Sequence, residues 1–500
     1  MQAGDVSEQK LNLRVTRGSS LPVYRQLVDG IEAAVQEGRL RPGDALPSIR
    51  AVAAELGINQ MTVSKAYRQL SNRGIVRGQS GNGTRVLEQR PGSAPIAPTR
   101  AARAPEVVDR YPSRMAELAN APGVIALTDA YPQFPAADLD AFRICLDKAL
   151  SAYGTSMFAY GPPAGKFELR DLLAQVVRRA DVAVQADQIV LTSGAQQALD
   201  LSARLLLRPG DVVVVESPCY FGALDVFRAL GAEIVEIPIS SDGISAADLR
   251  SVCERHAPKA FYTIPTVHNP TGITTSEARR LEILEVARAF GCVIIEDDYC
   301  PELHFGRDRV KSYLALSQGS VEVFYLRSLG KIYLPGIRLG FLIPPAARLP
   351  QALQLKRSSD MHGPLVLQNA AELFLRERMF DSQAMPELKS LQARARLLFA
   401  ELENQLPAGC ETRMVTGGLS FWVSLPESVS NEDLYFAAIR HSVAFALGSA
   451  FFAEHDGASK GIRVSFGGLT NDQIIEGVKR LCLALASVFG SGADSSAYFI

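Results

Sequence analysis

The hydrophobic period changes once along this chain, and the change divides it. Up to residue 87 apolar residues recur at helical spacing over three short segments and then give way to a glycine-rich hairpin; from about Gly123 onward β-type apolar runs alternate with amphipathic helices. One core does not serve both patterns across 500 residues, so two or three domains are expected. Residues 88–120 join them. This segment, with Arg90-Pro91-Gly92-Ser93-Ala94-Pro95 near its start, has no apolar period and is dense in Pro and Ala, as a semi-extended linker should be.

In residues 18–87, Leu21-Pro22-Val23-Tyr24 opens an amphipathic helix to about Glu37, with Ile31, Ala34 and Val35 on its apolar face. Arg41-Pro42-Gly43-Asp44 makes a turn. Ser48 caps a second helix that runs through Leu56, and Gly57 stops it. A third helix is expected from about Gln60 to Arg73, with Met61, Val63, Ala66, Tyr67 and Leu70 facing inward and Gln60, Thr62, Ser64, Lys65 and Arg68 outward. Two helices joined by a glycine-bearing turn, the second polar and basic near its start, have the helix-turn-helix layout, which in a DNA reader places that second helix in the major groove. Helix spacing alone fits an ordinary three-helix domain with solvated polar faces equally well. The run 75–86 reads as a hairpin whose glycine-rich tip makes a wing. Charge agrees: residues 1–85 hold 12 Lys or Arg against 7 Asp or Glu, leaving the remainder at −6 in a chain of net charge −1.

Composition narrows the rest. A hydrophobic content of 47% with 21% charged residues fits a soluble globular protein. No apolar run is long enough to span a bilayer, and the polar start Met1–Lys10 is no signal peptide, so a cytoplasmic protein is expected. The seven cysteines are scattered without a CxxC pair or a histidine at zinc spacing; reduced thiols and no metal site are expected.

From Gly123 the alternation Gln188–Thr192, Ala195–Leu207, Val212–Glu216, Ala232–Ile237, Ala260–Ile264, Ala278–Ala289, Val293–Glu296 and Val321–Leu326 argues an α/β domain with a mostly parallel sheet. Ligands of such sheets bind at the carboxyl ends of strands. The loops there carry Lys331 in Ser328-Leu329-Gly330-Lys331, Arg338 seven residues on, Thr192-Ser193-Gly194-Ala195-Gln196 between a strand and a helix, Glu296-Asp297-Asp298-Tyr299 at the end of a buried strand, Asn269-Pro270-Thr271-Gly272, and Tyr220. Pyridoxal 5′-phosphate (PLP) needs such parts: a lysine for its Schiff base, an anion for its pyridine nitrogen and a cradle for its phosphate. Backbone N–H groups and the helix dipole after Ser193 suit the phosphate. Ser328 and Arg338 add a hydroxyl and a guanidinium fork. Asp297 suits the ring nitrogen, Tyr299 and Asn269 the ring hydroxyl, and Tyr220 the ring face.

In the first segment, Leu46-Pro47-Ser48-x-Arg50, Leu56-Gly57, Thr62-Val63, Ala66-Tyr67 and Leu70 to Gly74 resemble the GntR-type winged helix. In the second, the motifs in their order resemble fold-type I aminotransferases. The two joined over about residues 18–490 resemble the MocR-type regulators. The implied fold is a winged helix-turn-helix with a small β wing, followed by an α/β fold-type I module over 121–490 with a large domain and a small C-terminal domain from about residue 375. The resemblance implies that Lys331 bonds to the cofactor and that Gly194, Ala195, Gln196, Ser328 and Arg338 hold its phosphate. It implies Asp297 at the pyridine, with Asn269 and Tyr299 at the ring oxygen. Tyr160, in Tyr160-Gly161-x-x-x-Gly165, is implied to reach the phosphate of a neighbouring subunit in a head-to-tail, domain-swapped homodimer. Arg463, in Gly461-Ile462-Arg463-Val464, is implied to clamp a ligand carboxylate. The implied DNA-facing set is Ser48, Arg50, Gln60, Thr62, Lys65, Arg68, Gly83 and Arg85. By chemistry Lys65, Arg50 and Arg85 suit phosphates, while Gln60 and Thr62 suit base edges.

Two departures bear on the ligand. Gly330 stands where many relatives carry serine, and Tyr220-Phe221-Gly222 lacks a second arginine that some members place there. A small α-amino acid or PLP itself is therefore expected rather than γ-aminobutyrate. Four functions are weighed: a regulator in which a ligand amine displaces Lys331, a regulator that reads PLP itself, a working aminotransferase with a DNA tether, and an inert dimerisation scaffold. They are ranked in that order.

Overall fold

Local signals set the helices of the first unit. In the computed structural model, which describes residues 23–86 and 111–490 apart from 37–38, 42, 73–74, 80–82, 129, 133–135, 307–308, 330, 332–334, 379–383, 427–428 and 455–458, the chain divides into two compact units between residues 106 and 107. Helix α1 is Val23–Gln36, α2 Ile49–Leu56 and α3 Gln60–Asn72. Ser48 caps α2 by accepting from the Ala51 N–H at 3.2 Å, and Gly57 ends it at φ 62°, a left-handed conformation that costs glycine little. Strands β1 (Ala45–Leu46), β2 (Val76–Gln79) and β3 (Gly83–Val86) form a sheet in the order β1-β3-β2, so the expected hairpin is present. Gly83 pairs with Gln79 at the start of β3, while the tip, 80–82, lies outside the described residues. The core includes Leu27, Val28, Ile31, Ala34, Val52, Val63, Ala66, Tyr67 and Leu70, and the Tyr67 hydroxyl donates to the Pro47 carbonyl at 2.8 Å. Leu27 and Val28 carry the apolar stripe a turn beyond the expected face, and Val35 lies at its edge.

The second unit begins earlier than the composition suggests. Tyr111–Leu118, inside the span read as linker, is a helix whose Met115 is buried. Pro112 disguised it: proline interrupts a helix interior but fits the first turn. Strand β4 (Ile125–Leu127) then pairs in parallel with a strand more than 300 residues away.

Seven strands make the large sheet: β5 (Val190–Thr192), β6 (Val212–Ser217), β7 (Glu233–Pro238), β8 (Ala260–Thr263), β9 (Val293–Asp297), β10 (Val323–Ser328) and β11 (Gly340–Ile343), in the order β5-β11-β10-β9-β8-β6-β7. β7, β6, β8, β9 and β10 are mutually parallel; β11 runs antiparallel between β10 and β5. Alternate residues feed opposite faces, Val213, Val215, Tyr262 and Ile295 one cluster and Val214, Phe261 and Ile294 another. Burial on both faces explains why these strands read as unbroken apolar runs. A second sheet, β12 (Glu411–Thr412), β13 (Ser420–Ser424), β14 (Val443–Leu447) and β15 (Gly461–Ser465), runs β12-β13-β15-β14-β4. Helices Ala384–Gln405 and Asn471–Gly490 contribute Leu398, Leu402, Leu481 and Leu485 to its core.

Candidate functional site

On the first unit, Arg50, Gln60 and Lys65 are exposed and Thr62 is half-buried. Ser48 spends its hydroxyl on the α2 cap. Lys65 Nζ lies 4.1 Å from the Tyr24 ring centroid, a cation–π contact between α3 and α1. Arg85 Nη1 donates to the Gly43 carbonyl at 2.8 Å. The side chain of Arg68 lies outside the described residues.

In the second unit the expected residues converge from strand ends. Thr192 closes β5, and Gly194 at φ 80° caps the helix Ala195–Leu206 with no side-chain cap hydrogen bond, which suits its first N–H groups to a ligand. A side chain at Gly194 would bring a Cβ to 2.9 Å from Arg338 Nη2, so glycine lets the guanidinium approach the backbone. Arg338, at φ 51°, donates to the Ser193 carbonyl at 3.1 Å. Ser328 ends β10 and faces Gly340 of β11. Gln196 accepts from the Tyr220 hydroxyl at 3.1 Å and donates to the Gly222 carbonyl at 2.8 Å. Asn269 accepts through Oδ1 from Arg463 Nη1 at 3.2 Å, which leaves a ring-oxygen contact to its amide nitrogen. Arg463, on β15 of the second sheet, also donates to the Thr128 carbonyl at 3.0 Å, and its guanidinium stands 5.3 Å from the Phe451 ring centroid.

Electrostatics sharpen the picture. Lys331 Nζ donates to the Ala130 carbonyl at 3.1 Å, and burial, then Arg463 and Arg338, hold its amine below the ordinary lysine range. Burial pushes the Asp297 carboxyl up to about 7, against the pull of the Tyr262 hydroxyl and Lys331. Burial first, then Asp297, pushes the Tyr220 hydroxyl up to about 12. Asp297 Oδ2 accepts from the Tyr262 hydroxyl at 2.9 Å; its Oδ1 is buried without a hydrogen-bond partner among the described residues.

The family described as Aminotransferase class I and II matches residues 137–481, and bacterial regulatory proteins of the gntR family match residues 23–86. The chain belongs to the class I and II aminotransferase family. Its first unit is a GntR helix-turn-helix domain, and the pairing is that of the MocR-type transcriptional regulators. It is 31% identical over 377 residues to the 2-aminoadipate transaminase of Thermus thermophilus, spanning 74% of this chain and 92% of that protein. It is 27% identical over 496 residues to the probable rhizopine catabolism regulatory protein MocR of Rhizobium meliloti, spanning 96% and 97%. Among solved structures, LysN of Thermus thermophilus, an α-aminoadipate aminotransferase complexed with N-(5′-phosphopyridoxyl)-L-leucine, superposes with a TM-score of 0.69 at 29% identity over 75% of this chain and 97% of its own.

The aminotransferase family implies PLP, and the residues present fit it. A buried carboxylate oxygen lacking a partner is what a protonated ring nitrogen requires, and a helix N-terminus beside an arginine is what a phosphate requires.

Sequence reasoning missed four contributors. Tyr262 on the neighbouring strand β8 pairs with Ile295 and reaches Asp297 two residues further along β9, visible only once strand register is known. Buried His268, before Asn269, is bracketed by Glu216 at 3.2 Å and Thr271 at 2.8 Å. The Ala130 and Thr128 carbonyls, beyond β4, carry no side-chain signal at all. One expected residue stands apart. Tyr160 is 84% exposed, its ring 5.7 Å from that of His362. Among the described residues there is no cluster of side chains suited to a metal, no helix long and apolar enough to cross a membrane, and all seven cysteines are free.

Proposed function

We propose that this regulator carries PLP and changes its hold on DNA when a small α-amino acid, or the cofactor itself, occupies the second unit. The observation that carries the reading is the pairing of Lys331, its amine held below the ordinary range, with the unpartnered Asp297 oxygen, in a chain whose first unit is a DNA-binding domain.

Lys331 would hold the cofactor covalently and Asp297 would pair with its ring nitrogen. Asn269 and Tyr299 would contact the ring oxygen, and Tyr220 would lie on the ring face. Gly194, Ala195, Gln196, Ser328 and Arg338 would hold the phosphate. When bound, PLP supplies an electrophilic carbonyl for amines and a ring that withdraws electrons from a captured amino acid. A lysine amine with a lowered proton affinity is uncharged more of the time at neutral pH, so Nζ can bond to a carbonyl or carry a proton over the site. Arg463 offers a carboxylate a bidentate fork, oriented by Asn269 and the Thr128 carbonyl. On DNA, Arg50, Lys65 and Arg85 would meet phosphates, and Gln60 and Thr62 would meet base edges, with Ser48, Arg68 and Gly83 alongside.

The reading includes a homodimer. Tyr160 is exposed, as are the apolar side chains of Phe158, 73%, Phe167, 58%, and Leu139, 63%, residues of the kind that a subunit interface covers. Tyr160 would then serve the phosphate of the neighbouring subunit. The relatives' regulator names and the absence of a spanning helix among the described residues support a cytoplasmic site of action.

The visible spectrum of the PLP-loaded protein, followed against a panel of amino acids beside DNA-binding titrations, tests the proposal. A band that shifts with one amino acid and holds, together with altered DNA affinity, is the expected result. A band that bleaches and returns with a keto acid over many cycles would mean a working aminotransferase instead.

A further inference from the structure

Behind the loop that opens the helix Ala195–Leu206 lies a charged cluster that the cofactor contacts do not use. Lys356, on the helix Leu349–Asp360, is fully buried, an expensive place for an ammonium group. Its Nζ pairs with Asp360 Oδ1 at 2.5 Å. The other oxygen of Asp360 accepts from Gln197 Nε2 at 2.9 Å. Gln197 in turn accepts, through Oε1, from the backbone N–H of Ser193 at 2.8 Å. Thus a buried cation orients a carboxylate, the carboxylate fixes the amide of Gln197, and the amide pins the Thr192–Ser193 peptide through its N–H.

The backbone holds Asp360 just as firmly. Met361 sits at φ 61° and ψ −59°, and the His362 N–H donates to the Asp360 carbonyl at 2.7 Å, which closes a tight γ-turn in a strained conformation. Strain of this kind persists where the surroundings over-determine it.

We propose that Lys356, Asp360 and Gln197 are positioning residues for the phosphate-binding loop, which set the affinity of the site for the phosphate ester of its cofactor and leave its grip on the ring unchanged. The inference rests on PLP occupying the site. The N–H groups that open the helix must point in one direction to receive a dianion, and Arg338 holds the following peptide, Ser193–Gly194, through the Ser193 carbonyl. With the Gln197 anchor gone, Ser193 keeps the Arg338 contact at its carbonyl and loses the one at its N–H. Asp297, the ring-nitrogen partner, and the Tyr262 hydroxyl that holds it belong to a different pair of strands and are untouched.

The test uses the full-length protein stripped of cofactor, with two single variants, Lys356→Met and Gln197→Met. Equilibrium binding of PLP and of pyridoxal, which lacks the phosphate, is followed by absorbance, and thermal unfolding of the cofactor-free protein by calorimetry. The expected result is a PLP affinity lowered about tenfold or more in both variants, one to two hydrogen bonds' worth, with pyridoxal affinity unchanged. Equal losses for PLP and pyridoxal, or no loss for either, would overturn the assignment. Gln197 is only partly buried, so its variant keeps the test alive if Lys356→Met does not fold. Failure of the unaltered protein to take up PLP would overturn the cofactor reading itself.

Discussion

Arg50, Gln60 and Lys65 stand exposed on the DNA-binding unit, whereas Asp297, Arg463 and Tyr262 are buried in the aminotransferase unit. Apart from the Tyr24 ring against Lys65, the first group rests on helix geometry for its position. The second is held by neighbouring strands and by partners that burial makes obligatory, such as Tyr262 for Asp297 and Thr128 for Arg463. Exposed cations on a helix can meet any phosphate at little desolvation cost, which suits contact with a long polyanion. A buried unpartnered carboxylate is costly until one particular cation arrives. The first unit is therefore built for affinity that salt tunes, and the second for a ligand that completes it.

The sharpest way to break this contrast is Lys331→Ala. Loss of the covalent anchor should abolish the visible cofactor band and any response of DNA affinity to amino acids, while specific DNA binding by the first unit persists in mobility-shift titrations. If the response survives, the second unit is an inert scaffold and the contrast has no functional meaning.

Asp297→Asn separates stability from binding. PLP affinity should fall about 10- to 100-fold, the worth of one hydrogen bond to a charged group, while the cofactor-free protein melts at a higher temperature because a buried charge has gone. Its pH dependence has a definite sign. Asp297 is raised from 3.8 to about 7 in the folded state, so its contribution to stability is full below about pH 4 and is lost as pH rises through 7. Glu296, raised to about 8 chiefly by burial and next by Asp298, acts in the same direction. Melting of the cofactor-free protein should therefore drop between pH 5 and pH 8, and less steeply in Asp297→Asn. PLP affinity should rise over the same range, since the ring nitrogen needs the carboxylate.

Arg50→Ala should weaken binding to all DNA sequences alike and lower the slope of log affinity against log salt by about one. A loss confined to one operator sequence would instead make Arg50 a reader of bases. The smallest effect is expected from Ser48→Ala. Removal of the α2 cap should cost about 1 kcal/mol of the first unit's stability in thermal unfolding, without altering PLP uptake.

Much of the site was legible because its chemistry is local. A helix N-terminus after a strand, a lysine in a loop and a carboxylate closing an apolar run each announce themselves within a few residues. Ser48 and Gly57 were legible for the same reason, since caps act on their own helix. Tyr262, Gln197, Asp360 and Lys356 were not, because each acts on a residue of another element and looks ordinary within its own. β4 escaped notice through brevity: three residues hold no period, and only its partner β14 defines it as a strand.

The sequence by itself determined the two periodicities, the caps, the order of the strand-end motifs and therefore the family, because these depend on side-chain pattern over one or two turns or strands. The tertiary structure alone decided which carboxylate oxygen is left without a partner, which carbonyls receive Lys331 and Arg463, and that a buried lysine stands behind the phosphate loop. The physical reason is that burial and hydrogen-bond satisfaction are sums over everything packed around an atom, and those neighbours come from strands and helices far apart in the chain.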